Sequence, residues 1–209
     1  MKYVKILSLA AVAATALLAF GAGTASATKL CTTPNQTASC ANAWHEPAGS
    51  VVEATLAPGS SILLETTGGS TMLTCTASTI RGKTTNTAET GNPVIVKVEE
   101  LDYTMCTFPV TVVNTGEIDI SHISNTDNGT LTARGTEVTI NTGFFGACTY
   151  GASAVGAHLG TVVGGKPAKI TINALVPLTK NESGLCPAEV RWTASYVFTK
   201  PTPLYVTHN

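Results

Sequence analysis

Between Cys186 and Thr199 the chain reads CPAEVRWTASYVFT, and its side chains alternate in character. Ala188, Val190, Trp192, Ala194, Tyr196 and Phe198 fall on one side of a period-two ribbon. Glu189, Arg191, Thr193, Ser195 and Thr199 fall on the other, with Val197 the one apolar intruder. A strand with one buried and one wet face requires this pattern, whereas a helix would scatter the same residues around its axis. The period recurs in Ala168, Ile170, Ile172, Ala174 and Val176, set against Lys169, Thr171 and Asn173. Val94, Val96 and Val98 alternate in the same way. Leu101, Tyr103 and Met105 continue on the opposite parity, which predicts a β-bulge or bend near Glu99 and Glu100.

Weaker stretches fit the same scheme. Val52, Ala54 and Leu56 form one strand; residues 61–67 and 71–79 form two more, joined by Gly68-Gly69-Ser70 as a tight hairpin. Phe108, Val110 and Val112 form another, and Pro109 predicts an edge position or a strand start there. Asn125 to Gly129 is a turn, with Asn128-Gly129 as a type I′ centre. Residues 28–49 read as an irregular loop in which Trp44 covers a core edge, and residues 81–93 read as a polar loop. Residues 144–160 are dense in Gly and Ala and give no clear pattern. The result is about a dozen short strands at regular spacing and no 3.6-residue periodicity beyond the N-terminal segment. It predicts an all-β fold: a single antiparallel β-sandwich over residues 28–209, of jelly-roll or immunoglobulin-like kind. Two small β domains divided near residues 124–129 are the alternative.

Residues 1–27 stand apart. Lys2 and Lys5 precede an apolar run from Ile6 to Phe20, and Ala25-Ser26-Ala27 supplies a small-x-small cleavage site, the pattern of a secretory signal peptide. Leu30, preceding Cys31, is too large for a lipid-attachment site, and no later segment is long and apolar enough to span a bilayer. With Lys2 and Lys5 in the leader, ten basic residues face thirteen acidic ones, a net −3 that is scattered along the chain. That excludes the basic stripe of a nucleic-acid binder and the polybasic segment of an anionic-membrane binder. All six cysteines, Cys31, Cys40, Cys75, Cys106, Cys148 and Cys186, lie beyond the leader. An even number in an exported chain predicts three disulfides, and nearest-neighbour pairing is the expectation: Cys31–Cys40, Cys75–Cys106 and Cys148–Cys186.

Few motifs carry chemistry. Gly82-Lys83-Thr84 ends like a phosphate-binding loop, but Ala77 stands where the first glycine belongs and no helix follows. Gly151 to Gly156 is one residue too long for a nucleophile elbow around Ser153. His45-Glu46 opens like a zinc-protease motif, but Gly49 replaces the second histidine. Asn125, Asp127 and Asn128 offer oxygens to a calcium ion and lack the further carboxylates of a calcium loop, so a bare turn is the competing reading. Glu100 and Asp102 share one face of a strand, roughly 7 Å apart by strand rise. That falls in the range of a glycosidase acid pair, but the reading preferred is a solvated charged face that blunts edge pairing. Trp44, Tyr103, Tyr150 and Tyr205 are left as aromatic candidates for stacking on a sugar.

Taken together, Leu73-Thr74-Cys75, Gly82-Lys83-Thr84-Thr85-Asn86, Cys148-Thr149-Tyr150-Gly151, Leu185-Cys186-Pro187 and the ending Pro201-Thr202-Pro203-Leu204-Tyr205-Val206 resemble an uncharacterised group of exported bacterial β proteins. The resemblance covers most of the chain beyond the leader, and its motifs are structural. It implies export and a disulfide-containing β fold, and it carries no site residue with it. The functional expectation is a secreted, non-catalytic surface, matrix or binding protein, located outside the cell or at its surface. It would use no cofactor, with a glycan or another cell-surface protein as partner. The alternatives are a carbohydrate-binding module and a secreted glycoside hydrolase using Glu100 and Asp102.

Overall fold

The computed structural model describes residues 27–34, 40, 46–86, 92–143, 145–182 and 184–208. Trp44, His45 and the leader up to Ser26 lie outside these, so the expectations that rest on them find no counterpart. The described residues form fourteen strands: β1 (Thr28–Cys31), β2 (Val51–Leu56), β3 (Ile62–Thr66), β4 (Thr71–Thr84), β5 (Val94–Cys106), β6 (Val110–Asn114) and β7 (Glu117–His122). They continue with β8 (Gly129–Arg134), β9 (Glu137–Asn141), β10 (Ala147–Gly151), β11 (Ala157–Val163), β12 (Lys169–Asn181), β13 (Glu189–Lys200) and β14 (Tyr205–His208). Every pairing is antiparallel, and the described residues contain no helix.

The expected all-β sandwich is therefore present, and its two layers are joined at the edges. Four long strands, β4, β5, β12 and β13, run the full height of the molecule. The remaining strands stack end to end in pairs. β2 and β3 follow one another along one edge of β4 and of β13. β10 and β11 do the same along β12, β8 continues into β9, and β6 continues into β7. Each column pairs with the next in chain order, and β13 returns to β2, as in Tyr196↔Leu56 and Phe198↔Ala54. The connectivity is thus an eight-column meander that closes on itself, and it corrects the Greek key implied by a jelly roll or an immunoglobulin-like domain. Long-range pairing of this kind is not written in local periodicity.

The alternating strands deliver what their pattern requires. Ile170, Ile172, Ala174 and Val176 of β12 face Val190, Ala194, Tyr196 and Phe198 of β13 inside one continuous core. Their polar neighbours form the outer wall. An apolar interior inside a polar wall is the reverse of the arrangement in a lipid-spanning barrel. Among the described residues no helix is long and apolar enough to cross a membrane. In β5 the ladder to β4 skips from Arg81↔Glu100 to Gly82↔Val98, which leaves Glu99 as the extra residue at the predicted bulge.

Other local readings are corrected. Arg81 to Thr84, expected in a loop, is the end of β4. Gly82 is required there because a Cβ would lie 2.4 Å from the Lys97 carbonyl oxygen. Gly129 is not a turn centre: it opens β8, where a Cβ would meet the Ser121 carbonyl at 2.9 Å and Val206 at 3.0 Å. The left-handed residue in that turn is Asn125, at φ 60°. Between β3 and β4 only Gly69 has positive φ, and Thr66 and Ser70 close the hairpin. Residues 147–151 and 157–163, unreadable from the sequence, form β10 and β11.

The two ends of the barrel differ. At the end where β7 turns into β8, the short β1–β14 pair lies against β7 as a clasp and buries Leu30, Leu204 and Val206 completely. The His122 amide donates to Thr28 Oγ1 (2.9 Å), and the Val206 amide donates to the Asp127 carbonyl (3.0 Å). At the opposite end two disulfides act as staples. Cys75–Cys106 joins β4 to β5, and Cys148–Cys186 joins β10 to the β12–β13 connection; Cys31–Cys40 lies beside the clasp. All three are the nearest-neighbour pairs expected, and together they use all six cysteines.

Candidate functional site

Among the described residues the wall is interrupted between β5 and β6. β5 pairs with β7 from Val94↔Ile120 to Lys97↔Glu117. The Val98 amide then donates to the Gly116 carbonyl at 3.1 Å, and Thr115 Oγ1 donates to the Val98 carbonyl at 2.7 Å. Beyond that point β5 and β6 form no ladder; β6 pairs only with β9. The short connection between them is drawn to both sides, since the Thr107 amide donates to Thr74 and the Pro109 carbonyl accepts from Asn141. The edge placement predicted from Pro109 is what the structure shows. Met105, expected to continue the inward face of β5, is instead in the left-handed region (φ 51°) and 74% exposed. Phe108 and Val113 are also exposed, so the lips of this slit are apolar.

A cavity of about 50 Å³ lies in the same half of the barrel, with Tyr103 of β5 and Val110 of β6 in its wall. The rest of the wall is largely aliphatic and contains no charged side chain. Trp192 projects into it from β13 and also lines a second cavity of about 30 Å³, so its indole forms part of the boundary of both. The indole Nε1 is buried and has no hydrogen-bond partner. The polar side chains nearby are phenols and the Thr136 hydroxyl, which donates to the Thr115 carbonyl at 3.0 Å. Tyr150 donates to the Pro187 carbonyl at 3.2 Å, and burial pushes its pKa up to about 12. Burial, and secondarily the neighbouring Tyr196, hold the Tyr103 phenol well above its ordinary value. Tyr196 is also raised by burial to about 12, against the opposing effect of its 3.1 Å hydrogen bond to Ser78, which in turn donates to the Asp102 carbonyl. These groups stay protonated at neutral pH and offer no general base.

The residues singled out by sequence do not converge on this cavity. Glu100 and Asp102 are exposed on the outer wall of β5, opposite Arg81 and Thr79, and neither borders the cavities described. Asn125 and Asp127 lie in the β7–β8 turn, where the backbone of Asp127 and the side chain of Asn128 dock β14 and the Gly164 amide. Among the described residues no group of three His, Cys, Asp or Glu side chains is placed to hold a metal ion. Ser153 sits in the exposed β10–β11 turn and accepts from Gly135 and Gly156 through its carbonyl. His122 is a hydrogen-bonded side chain, its Nε2 2.8 Å from the Thr126 carbonyl. Tyr103 and Tyr150, considered as sugar platforms, line the interior cavity instead.

The cavity residues were beyond the reach of sequence because they come from many strands and meet only when the meander closes. Compared with family models, with curated proteins and with solved structures, the chain gives no match.

Proposed function

We propose that this is an exported, non-catalytic binding protein whose barrel is a rigid container for a small apolar guest. The guest enters through the slit between β5 and β6. One observation carries this reading: the cavity of about 50 Å³ borders the strands at which the ladder fails to close, and no carboxylate, histidine, lysine or arginine lines it. The leader-like residues 1–27 and the three disulfides support placement in an oxidising compartment outside the cytoplasm. The exposed apolar lips support the entry route. The carbohydrate-module and hydrolase readings have less behind them. The cavity's tyrosines and Trp192 are turned inward, and Glu100 and Asp102 stand on an open convex wall.

Xenon is a suitable test because its size and apolarity match such a cavity. The ¹²⁹Xe resonance should show a saturable shift with the disulfide-intact protein. Val138→Phe, which fills the cavity wall, should abolish the shift, and Val110→Trp at the lip should slow exchange. A xenon signal indifferent to the protein, or unchanged by Val138→Phe, contradicts the container reading.

A further inference from the structure

We infer that the slit is a strand-addition site, and that its partner is an extended peptide segment in which aliphatic residues alternate with Lys or Arg. The backbone makes the first argument. Successive residues of a strand turn their N–H and C=O groups to opposite sides. The Asp102 carbonyl is turned toward β4, where Ser78 Oγ donates to it at 2.7 Å. Leu101 and Tyr103 therefore aim their backbone groups the other way, into the slit. On the far side, the Pro109 carbonyl accepts from the Asn141 amide of β9 at 3.1 Å. Val110 and Val112 therefore face the slit from β6. No strand of the barrel pairs with either edge there. Two facing rows of donors and acceptors, repeating every second residue, match the backbone of a third strand.

The side chains decide the sequence of that strand. Leu101, Tyr103 and Val110 are turned inward, where they line the two cavities. Every second residue of the partner then points into the apolar interior. At about 12 Å³ per water-sized centre, the cavity of about 50 Å³ has room for one aliphatic side chain. This step rests on the container reading above and makes the guest a side chain. The intervening residues of the partner face outward beside Glu100 and Asp102, which are exposed on β5. Arg81 opposes Glu100 and Lys83 holds Glu99 at 2.9 Å, so three carboxylates meet two cations and this lip stays net negative. Opposite charges across a ladder stabilise it and like charges destabilise it, which selects Lys or Arg. The same rule disfavours a second copy of this chain, because pairing β5 with β5 would bring these carboxylates together.

The test uses the full disulfide-bonded protein, labelled with ¹⁵N, and the peptide acetyl-Lys-Val-Lys-Leu-Lys-Val-Lys-amide. The peptide should bind saturably and slow amide exchange at Leu101, Tyr103, Val110 and Val112. N-methylating its leucine and the lysine that follows removes one donor toward each edge and should weaken binding about tenfold or more. Replacing the leucine by alanine should weaken it about tenfold, and replacing every lysine by glutamate should abolish it. In the protein, Glu100→Gln combined with Asp102→Asn keeps both backbone edges and should lower affinity about fivefold. No binding of the parent peptide overturns the inference, as does equal binding of any altered peptide or undiminished affinity in the amide variant. A dimer of the peptide-free protein protected at Leu101 and Tyr103 also overturns it, by making a second copy the occupant. Xenon separates this inference from the reading beneath it. A saturable xenon shift without peptide binding leaves the container standing, and loss of both signals removes both.

Discussion

The clasped half and the split half of the barrel share the same four long strands but close by different means. In the clasped half the ladder is continuous: β5 pairs with β7, β7 with β8, and β13 with β2. The β1–β14 clasp covers its end, and Ile120, Val162 and Phe198 are buried to within 3% of complete enclosure. In the split half β5 and β6 part company, the cavity of about 50 Å³ occupies the interior, and one disulfide joins β4 to β5 while another joins β10 to the β12–β13 connection. Both halves carry disulfides, since Cys31–Cys40 lies beside the clasp and Cys75–Cys106 joins two strands whose ladder is intact, so the halves differ in ladder continuity and interior packing rather than in crosslinking.

Substitutions can break this contrast, and the largest effect is expected in the packed half. Phe198→Ala should cost about 3–5 kcal/mol, whereas Val138→Ala beside the existing cavity should cost about 1 kcal/mol; urea unfolding of the two variants compares them directly. Equal losses would mean that the halves are packed alike. Next comes the staple of the split half. Replacing Cys75 and Cys106 with Ser opens a 31-residue loop and should cost about 3–4 kcal/mol. Amide protection should be lost over β5 and β6 more than over β7 and β8.

The buried phenols sharpen the comparison through pH. Tyr150 and Tyr196 keep their protons to about pH 12 in the folded protein, while the unfolded chain releases them near 10. Unfolding is therefore favoured as pH rises: stability is intact below about pH 10 and falls as pH climbs through about 12. Tyr196→Phe should flatten that decline at a cost of about 1 kcal/mol at neutral pH, from the lost hydrogen bond to Ser78. The smallest effect belongs to the outer wall. Glu100→Gln combined with Asp102→Asn should change stability by less than about 0.5 kcal/mol, since both side chains are exposed.

Several features of this architecture were legible in the residues. The parity switch between Val98 and Leu101 located the bulge at Glu99, because a displaced apolar face has no other cheap explanation in a strand. Cysteine order matched the Cys75–Cys106 pair because consecutive columns are spatial neighbours in a meander, and the Cys31–Cys40 pair because it closes a short local loop. Gly82 and Gly129 misled because both are needed for close backbone approach between strands, while local sequence reads a glycine as a turn. Met105 has the character of an inward residue, yet the backbone turns it out next to the Cys75–Cys106 bridge. Trp192 was correctly placed on the buried face. That its nitrogen would be left without a partner depends on strands far away in the chain, and no period-two pattern encodes that.

Residue-resolved amide hydrogen exchange on the oxidised protein tests the division of the barrel most directly. Strand β5 crosses both halves, so it supplies its own control. The amides of Val96 and Val98 should exchange slowly, close to the global unfolding limit. Those of residues 101–106 and 110–114 that point into the slit should exchange faster, on the order of a hundredfold or more. Uniform protection along β5 and β6 would mean that the wall is closed throughout, and would contradict both the slit and the entry route drawn from it.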